Sequence, residues 1–408
     1  MLNTKSRYSE PLEFILLVGR SLHRYGAAAH HIEAALFGLA QKYCDEYEFF
    51  VTPTAIISSV KIDGEWQSRL QRVTPGGIDL GKLSLVDDVG DKVTHGVMNM
   101  QAGIEQIRKI NRIPEGRFDP LIRILFFMVA SLGFGGFLVF DWLDLAVVGV
   151  LGFVAAIMGE IIALIPNISQ VKEFLISFVV SFLALLLISV FPDLTVNRII
   201  LSSLIVLIPG LSLTIALSEI ATNNWLAGTA RLMGAAAELL KISFGVVVGG
   251  LAAKGIHNIP VSSIEGQPDF LVPEIFLLLL SGLSFSYLFR NLRRDYIWVI
   301  IGACLGYYSS QLGAYIFGRE LGVFWGGACL AAFSNGFARY LHRPALTVLI
   351  PGLIPMVPGS IGFQSLTFMF EHDVMATMAS TFNLVIVAVA LVAGLTVGNM
   401  IVHPRRSL

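Results

Sequence analysis

Glu160, Glu238 and Lys241 stand inside stretches that are otherwise apolar. A charge at the centre of a bilayer costs about 2.5–3.5 kcal/mol on insertion scales, so such residues mark a lumen, an ion pair or a proton relay. Glu238 and Lys241 are three apart and can pair on one helical face. Glu160 has no local partner, which favours a protonatable group. All three are candidates for proton coupling or an ion pair. Asn335, Asn383 and Gln311 read as hydrogen bonders between helices.

A second set of residues breaks helices. Pro209-Gly210 and Pro351-Gly352 both lie in apolar stretches. Proline removes a backbone donor and glycine accommodates unwound geometry. At membrane depth such breaks survive only where protein or a watery cavity satisfies the freed groups. The half-helix that follows presents free N–H groups and a positive dipole end, suited to a carboxylate. Pro355 and Pro358-Gly359 make the second break the stronger one. Candidate substrate-binding residues are Pro209, Gly210, Thr214, Pro351, Gly352, Pro358, Gly359, Ser360 and Gln364. Thr214, Ser360 and Gln364 would touch polar groups of the substrate. Glu219 and Arg231 read as a cytoplasmic mouth. The plainer reading of each break is a proline kink with no ligand.

The N-terminal part offers weaker chemistry. Gly76-Gly-Ile-Asp-Leu-Gly81-Lys82 has the glycine and lysine spacing of a phosphate-binding loop, but Leu83 stands where a Mg²⁺-binding Ser or Thr is needed. It reads as a turn capping a helix. His30-His31-Ile-Glu33 puts possible ligands on one helical face, but no further ligands follow at a metal-site spacing. No metal and no cofactor is expected. Thr52-Pro-Thr54 at a strand junction could line a pocket, yet no ordered nucleophile, base and orienting group accompanies it.

These residues need elements to hold them, and the charge distribution divides the chain. Only 14% of the residues are charged against 55% hydrophobic, well below the quarter usual in soluble domains. Residues 1–117 hold 28 of the 57 charges, so that part can be soluble and the rest reads as membrane. Residues 9–44 show two helical runs, followed by strands at 47–52, 55–62 and 66–73 and helices near 79–95 and 98–111. Asp63-Gly64 signals a hairpin. The expected domains are a cytosolic α+β domain with a basic linker (1–117), a first five-span membrane unit (118–255) and a second (256–408).

From Leu121 onward ten apolar stretches are long enough to span a bilayer: 121–140, 145–165, 174–191, 199–218, 228–252, 270–289, 296–316, 321–338, 345–366 and 375–402. With the N-terminus inside, fourteen Lys and Arg fall in inner segments and three in outer ones, which sets both termini in the cytoplasm. Val206-Leu-Ile-Pro-Gly-Leu211 recurs as Val348-Leu-Ile-Pro-Gly-Leu353, and Gly245-x-x-x-Gly249 is echoed by Gly394-x-x-x-Gly398. Two units of five spans each would be inverted repeats, as in secondary transporters. The fold class expected is a multi-span α-helical membrane protein with ten transmembrane helices in two such repeats. The N-terminus lacks the apolar stretch of a signal peptide, and three distant cysteines argue against a disulfide framework.

Several segments together resemble the threonine/serine exporter family: Gly26-Ala-Ala-Ala-His-His-Ile-Glu33, Phe50-Val-Thr-Pro-Thr54, Arg72-Val-Thr-Pro-Gly-Gly-Ile-Asp-Leu80, Pro209-Gly-Leu-Ser-Leu-Thr214 with Glu219, Gly228-Thr-Ala-Arg231 and Pro351-Gly-Leu-Ile-Pro-Met-Val-Pro-Gly359. The resemblance covers nearly the whole chain. Glu219 stands where the family has aspartate, and His30-His31 replace its usual residues. The resemblance implies a cytosolic domain fused to ten spans and export of small amino acids driven by the proton-motive force. A split two-chain form of the family is linked to dicarboxylate export.

The expectation is therefore a secondary exporter of threonine or serine, not an enzyme, in a bacterial inner (plasma) membrane. Its partners would be a small carboxylate-bearing metabolite, protons and the lipid bilayer; the Gly-x-x-x-Gly pairs allow close helix packing within the chain or between copies, which leaves a homo-oligomer as a further candidate. A net charge of −1 gives no field for nucleic acid. The alternatives are a dicarboxylate exporter using Lys241 or Arg231 as the extra cation, a membrane-anchored hydrolase acting through the N-terminal domain, and a channel.

Overall fold

Glu10 and Glu13 in the first turn and His23 and Arg24 in the last complement the dipole of α1 (Glu10–Arg24). Its Leu12, Ile15, Leu16, Gly19 and Leu22 are buried on one face, as their spacing predicts. They pack on α2 (Ala29–Tyr43) and on a three-stranded antiparallel sheet of β1 (Glu46–Val51), β2 (Ala55–Ile62) and β3 (Glu65–Arg72), in the order β1-β2-β3. Asp63 and Gly64 turn β2 into β3 with φ of 53° and 81°, the left-handed geometry of a tight hairpin. Next come α3 (Leu80–Thr94), capped by the Asp79 carboxylate, and α4 (Met100–Asn111), capped by Asn99. Phe14, Ile32, Leu36, Leu39, Ile56, Ile104 and Ile107 form one core, and Ala227 and Leu346 from the apolar part of the chain pack into it. The α+β domain is as expected, with element ends moved by a residue or two.

The computed structural model describes residues 9–404 except 75, 115, 117, 118, 140, 257–271 and 371. Arg117, Arg405 and Arg406, used above for orientation, lie outside the described residues, as does most of the link into the second membrane unit.

The remaining helices are α5 (Asp119–Gly135), α6 (Trp142–Ala163), α7 (Lys172–Ile188), α8 (Val196–Leu204), α9 (Gly210–Ala221), α10 (Trp225–Ile256), α11 (Glu274–Leu288), α12 (Tyr296–Phe317), α13 (Arg319–Leu341), α14 (Leu346–Leu353), α15 (Gly359–Phe370) and α16 (Val374–Ile401). Among the described residues seven helical stretches are long and apolar enough to cross a membrane: 142–163, 167–188, 225–255, 293–317, 321–341, 346–370 and 374–401. The other three apolar stretches hold the shorter α5, the broken pair α8 and α9, and the shorter α11.

Helix pairing follows a pattern. α7 packs along α10, and α13 along α16. α6 meets α8, and α12 meets α14; α9 lies against α10 and α16, and α15 against α16 and α10. The Gly-x-x-x-Gly pairs explain the closest contacts. A Cβ on Gly245 or Gly249 would fall 2.5 or 2.3 Å from the Phe174 or Phe178 carbonyl of α7. A Cβ on Gly394 or Gly398 would fall 2.1 or 2.4 Å from the Phe324 or Ala328 carbonyl of α13. Both pairs let backbones touch within the chain, so these faces are taken up internally. Asn335 bridges α13 and α16 by donating to Asn399 Oδ1 and the Val402 carbonyl, each at 2.8 Å. Gln311 instead donates to Tyr307 one turn back on its own helix.

Candidate functional site

Two interrupted helices meet at the centre of the apolar part. The chain leaves α8, turns through 205–209, and enters α9 at Gly210 with Pro209 just before it. It leaves α14, makes a short 3-10 turn at Ile354–Met356, and enters α15 at Gly359 with Pro358 just before it. The two entry points touch. A Cβ on Gly210 would lie 2.9 Å from Gly359 Cα, and one on Gly359 would lie 2.8 Å from Gly210 Cα. Only glycine permits that approach. Pro209 supplies no side-chain cap. The Gly210 N–H donates to the Ile208 carbonyl at 2.8 Å and the Leu213 N–H to the Pro209 carbonyl at 3.1 Å. Leu211 and Ser212 therefore carry the uncapped first-turn N–H groups of α9, and both residues line the space where the two helices begin.

That space is a cavity of about 300 Å³. Ile205–Ser212, Gly359 and Ser360 line one part, Phe134, Phe285 and Phe289 another, and Arg231 and Glu238 of α10 project into it. Arg231 and Glu238 are two turns apart on one face, about 10 Å along the helix. Gly26, Gly76, Gly77 and Ile78 of the N-terminal domain roof the cavity.

The break expected at Pro351-Gly352 is not there. Pro351 lies inside α14, and a Cβ on Gly352 would meet the Leu330 side chain. Proline at this position frees the carbonyl four residues earlier, which is that of Thr347. Asn291 Nδ2 donates to it at 2.7 Å, so the helix continues. The repeated hexapeptide thus marks a break in its first copy alone; in the second, the break falls seven residues later at Pro358-Gly359.

Thr214 is buried and donates to the Gly210 carbonyl of its own helix at 3.2 Å. It faces a small pocket beside His30 and His31, not the central cavity. Ser360 lines the central cavity. Gln364 lines a separate cavity of about 420 Å³ with Asn197, Arg198 and Thr367.

The charged candidates separate clearly. Glu160 accepts both Arg123 Nε at 2.6 Å and Nη2 at 2.8 Å. Lys241 pairs with Glu173 of α7 at 2.7 Å, not with Glu238 as its spacing suggested. Tertiary contact supplied partners that a local window could not show. Glu238 makes no hydrogen bond or ion pair among the described residues.

Glu219 is fully buried. It accepts Arg231 Nε at 2.9 Å and Nη2 at 3.0 Å, and also the Ala29 N–H of α2 at 3.0 Å. Asn224 donates to Glu33 at 2.9 Å, while the other Glu33 oxygen accepts the Val51 N–H at 3.0 Å. The domain therefore hooks onto the α9–α10 turn through its α2 start. A second hook uses the glycine segment: Leu80 and Gly81 donate N–H to the Phe289 and Arg290 carbonyls at 3.0 Å each. In the loop that resembles a phosphate cradle, the N–H groups of Leu80 and Gly81 are taken by docking and those of Asp79 and Lys82 by Tyr25 and Asp79 of the domain itself. Sequence reading missed Ala29, Asn224, Phe289 and Arg290 as docking partners, because backbone groups and long-range contacts leave no local spacing.

Three histidines surround this node. Burial and then the Arg231 charge lower His30 to about 4. Burial, with His30 adding to it, lowers His31 despite an opposing pull from Glu219. Burial also lowers His23. They gather around an ion pair, and no group of His, Cys, Asp and Glu among the described residues could hold a metal ion. Thr52 exchanges hydrogen bonds with Ala55 across the β1–β2 turn and so is occupied locally.

A family model described as "Putative threonine/serine exporter" matches residues 13–252, and one described as "Threonine/Serine exporter, ThrE" matches residues 274–401. The chain is similar to pheromone-regulated membrane protein 10 of Eremothecium gossypii, 26% identical over 86% of this chain and 48% of that protein. It is also similar to the protein of that name in Pichia sorbitophila, 22% identical over 86% of this chain and 36% of that one. An uncharacterised protein of Schizosaccharomyces pombe is 25% identical over 97% of this chain and 56% of its own length. The chain thus spans about a third to just over half the length of these relatives. No solved structure matches it.

Proposed function

The chain belongs to the threonine/serine exporter family, and from that premise we propose that it is a proton-coupled secondary exporter of small amino acids. The observation that carries this reading is the meeting of α9 and α15 at Gly210 and Gly359 beside a shared cavity. Two half-helix starts bring their positive dipole ends to one place, with the Leu211 and Ser212 N–H groups of α9 beside it. A substrate carboxylate is the group they hold, with Ser360 beside it. The cavity is at the small end of ligand pockets and suits a metabolite of few heavy atoms.

We read the membrane part as ten spans in two inverted five-span units. The matched pairings α7–α10 with α13–α16, α6–α8 with α12–α14, and the two glycine pairs support that reading. In this reading both termini lie in the cytoplasm and the membrane is a bacterial inner (plasma) membrane. Rocking of one unit against the other alternates access. With its roof in place, the cavity is closed on the domain side, and the domain must shift for substrate to enter. Glu238 is the acid that faces the cavity unpaired, so coupling falls to it and not to Glu160. Arg231 and Lys241 each hold a carboxylate already, which weighs against a second substrate carboxylate.

Proteoliposomes preloaded with serine, threonine or succinate test this. Serine and threonine efflux should accelerate when the receiving side is acidified, and succinate efflux should be slow. Equal rates for all three, without response to a pH gradient, would overturn the proposal.

A further inference from the structure

We propose that the Glu238 carboxylate is the single group for which the coupling proton and the substrate's ammonium group compete. The inference rests on the exporter reading and adds the residue that selects a zwitterion. The two half-helix starts can satisfy a carboxylate, but they repel a cation. A zwitterion in the same cavity needs an anion for its other end. Glu238 is the cavity's only carboxylate among the described lining residues.

The charged groups that act on it through space are Glu173 of α7 and Lys241 of α10, with opposite signs. On α10, Lys241 is held by Glu173 of α7, and Arg231 is held by Glu219 of α9. Lys172 of α7 lies near Gly159 of α6. α15 carries no titratable side chain, and neither do Gly26, Gly76, Gly77 and Ile78 of the roof. The protonated carboxyl and the ammonium group therefore exclude each other on one site.

The exchange balances. A protonated Glu238 meeting a zwitterion gives a carboxylate–ammonium pair and one released proton; the reverse step releases the substrate. One neutral amino acid leaves for each proton that enters, and no other carrier of charge is needed. Substrate affinity falls as the medium becomes more acidic, by about tenfold per pH unit once Glu238 is mostly protonated.

The test is calorimetric titration of serine into the full-length protein in nanodiscs, at several pH values and in buffers of different ionisation enthalpy. The expected result is up to one proton released per serine at acid pH, fading as pH rises. Glycerate, which carries the hydroxyl and carboxylate without an ammonium group, should release none. Glu238→Asp should keep the release with a shifted midpoint, and Glu238→Gln should lose both the release and the pH dependence of binding. Proton release that persists in Glu238→Gln, or serine binding to the wild type without release at any pH, overturns the inference. If the Gln variant does not fold, the Asp variant and the wild-type proton count still decide it. A wild-type protein that transports neither serine nor threonine overturns the exporter reading instead, so the two failures differ.

Discussion

Glu219 has no exposed surface and three donors on its two oxygens, while its partner Arg231 opens onto the cavity. Removing one member of a buried pair strands the other charge, at about 3–5 kcal/mol. Glu219→Gln should lower the thermal midpoint accordingly, and Glu219→Leu combined with Arg231→Met should recover much of it. Glu160 is bound on both oxygens by Arg123 outside the cavity. Glu160→Gln should cost stability yet keep the response of efflux to pH, measured in proteoliposomes. The histidines give a pH signature. Their values are lowered in the docked domain, so the undocked state takes up more protons. Docking is strongest above pH 6.5 and weakens as pH falls toward 4, the His30 value. The protection of the Ala29 amide, bonded to Glu219, against hydrogen exchange, measured relative to the intrinsic rate at each pH, should fall over that window, and less so with His30 and His31 both changed to Asn. Sequence alone named Glu160, Glu219, Glu238 and Lys241 as unusual. It could not apportion their partners, because Arg123, Glu173 and Ala29 lie 37, 68 and 190 residues away from the groups they bind.

At the scale of elements, the two breaks differ in what their glycines touch. Gly359→Ala would press a methyl group into the Gly210 backbone, whereas Gly352→Ala would press on the end of the flexible Leu330 side chain. Efflux should therefore fall sharply in Gly359→Ala and change little in Gly352→Ala at equal protein level. The opposite order would place the functional break at the hexapeptide. Helix breaking by Pro-Gly is legible in a sequence; whether the break occurs depends on who receives the freed carbonyl. Asn291 does so for Thr347, and that contact spans 56 residues. The strands, the Asp63-Gly64 turn and the helices of the domain were legible nearly to the residue, since each rests on local pattern.

For the whole molecule, the proposed function makes the domain the part that must shift. It grips the membrane helices at Glu219 and Asn224 on one side and at Phe289 and Arg290 on the other. Cysteines replacing Asp79 and Arg290, whose side-chain ends approach to 3.8 Å, should be bridged by a short bis-methanethiosulfonate linker in a background without Cys44, Cys304 and Cys329. Bridging should then stop efflux, and reduction of the linker's disulfides should restore it. Continued efflux from the cross-linked protein would show that the roof need not lift.

Composition, charge placement and periodicity by themselves determined a charge-rich α+β part ahead of an apolar helical membrane part, and the local motifs pointed to the exporter family. Those features depend on hydrophobic burial and helix geometry, which act over a few residues. The tertiary structure decided the rest: that Gly210 meets Gly359 rather than Gly352, that Leu80 and Gly81 of the glycine loop form a docking edge, and that Glu238 is the one carboxylate among the described residues lining the cavity. Each depends on which distant groups are brought within hydrogen-bonding or van der Waals distance, and chain spacing carries no record of that.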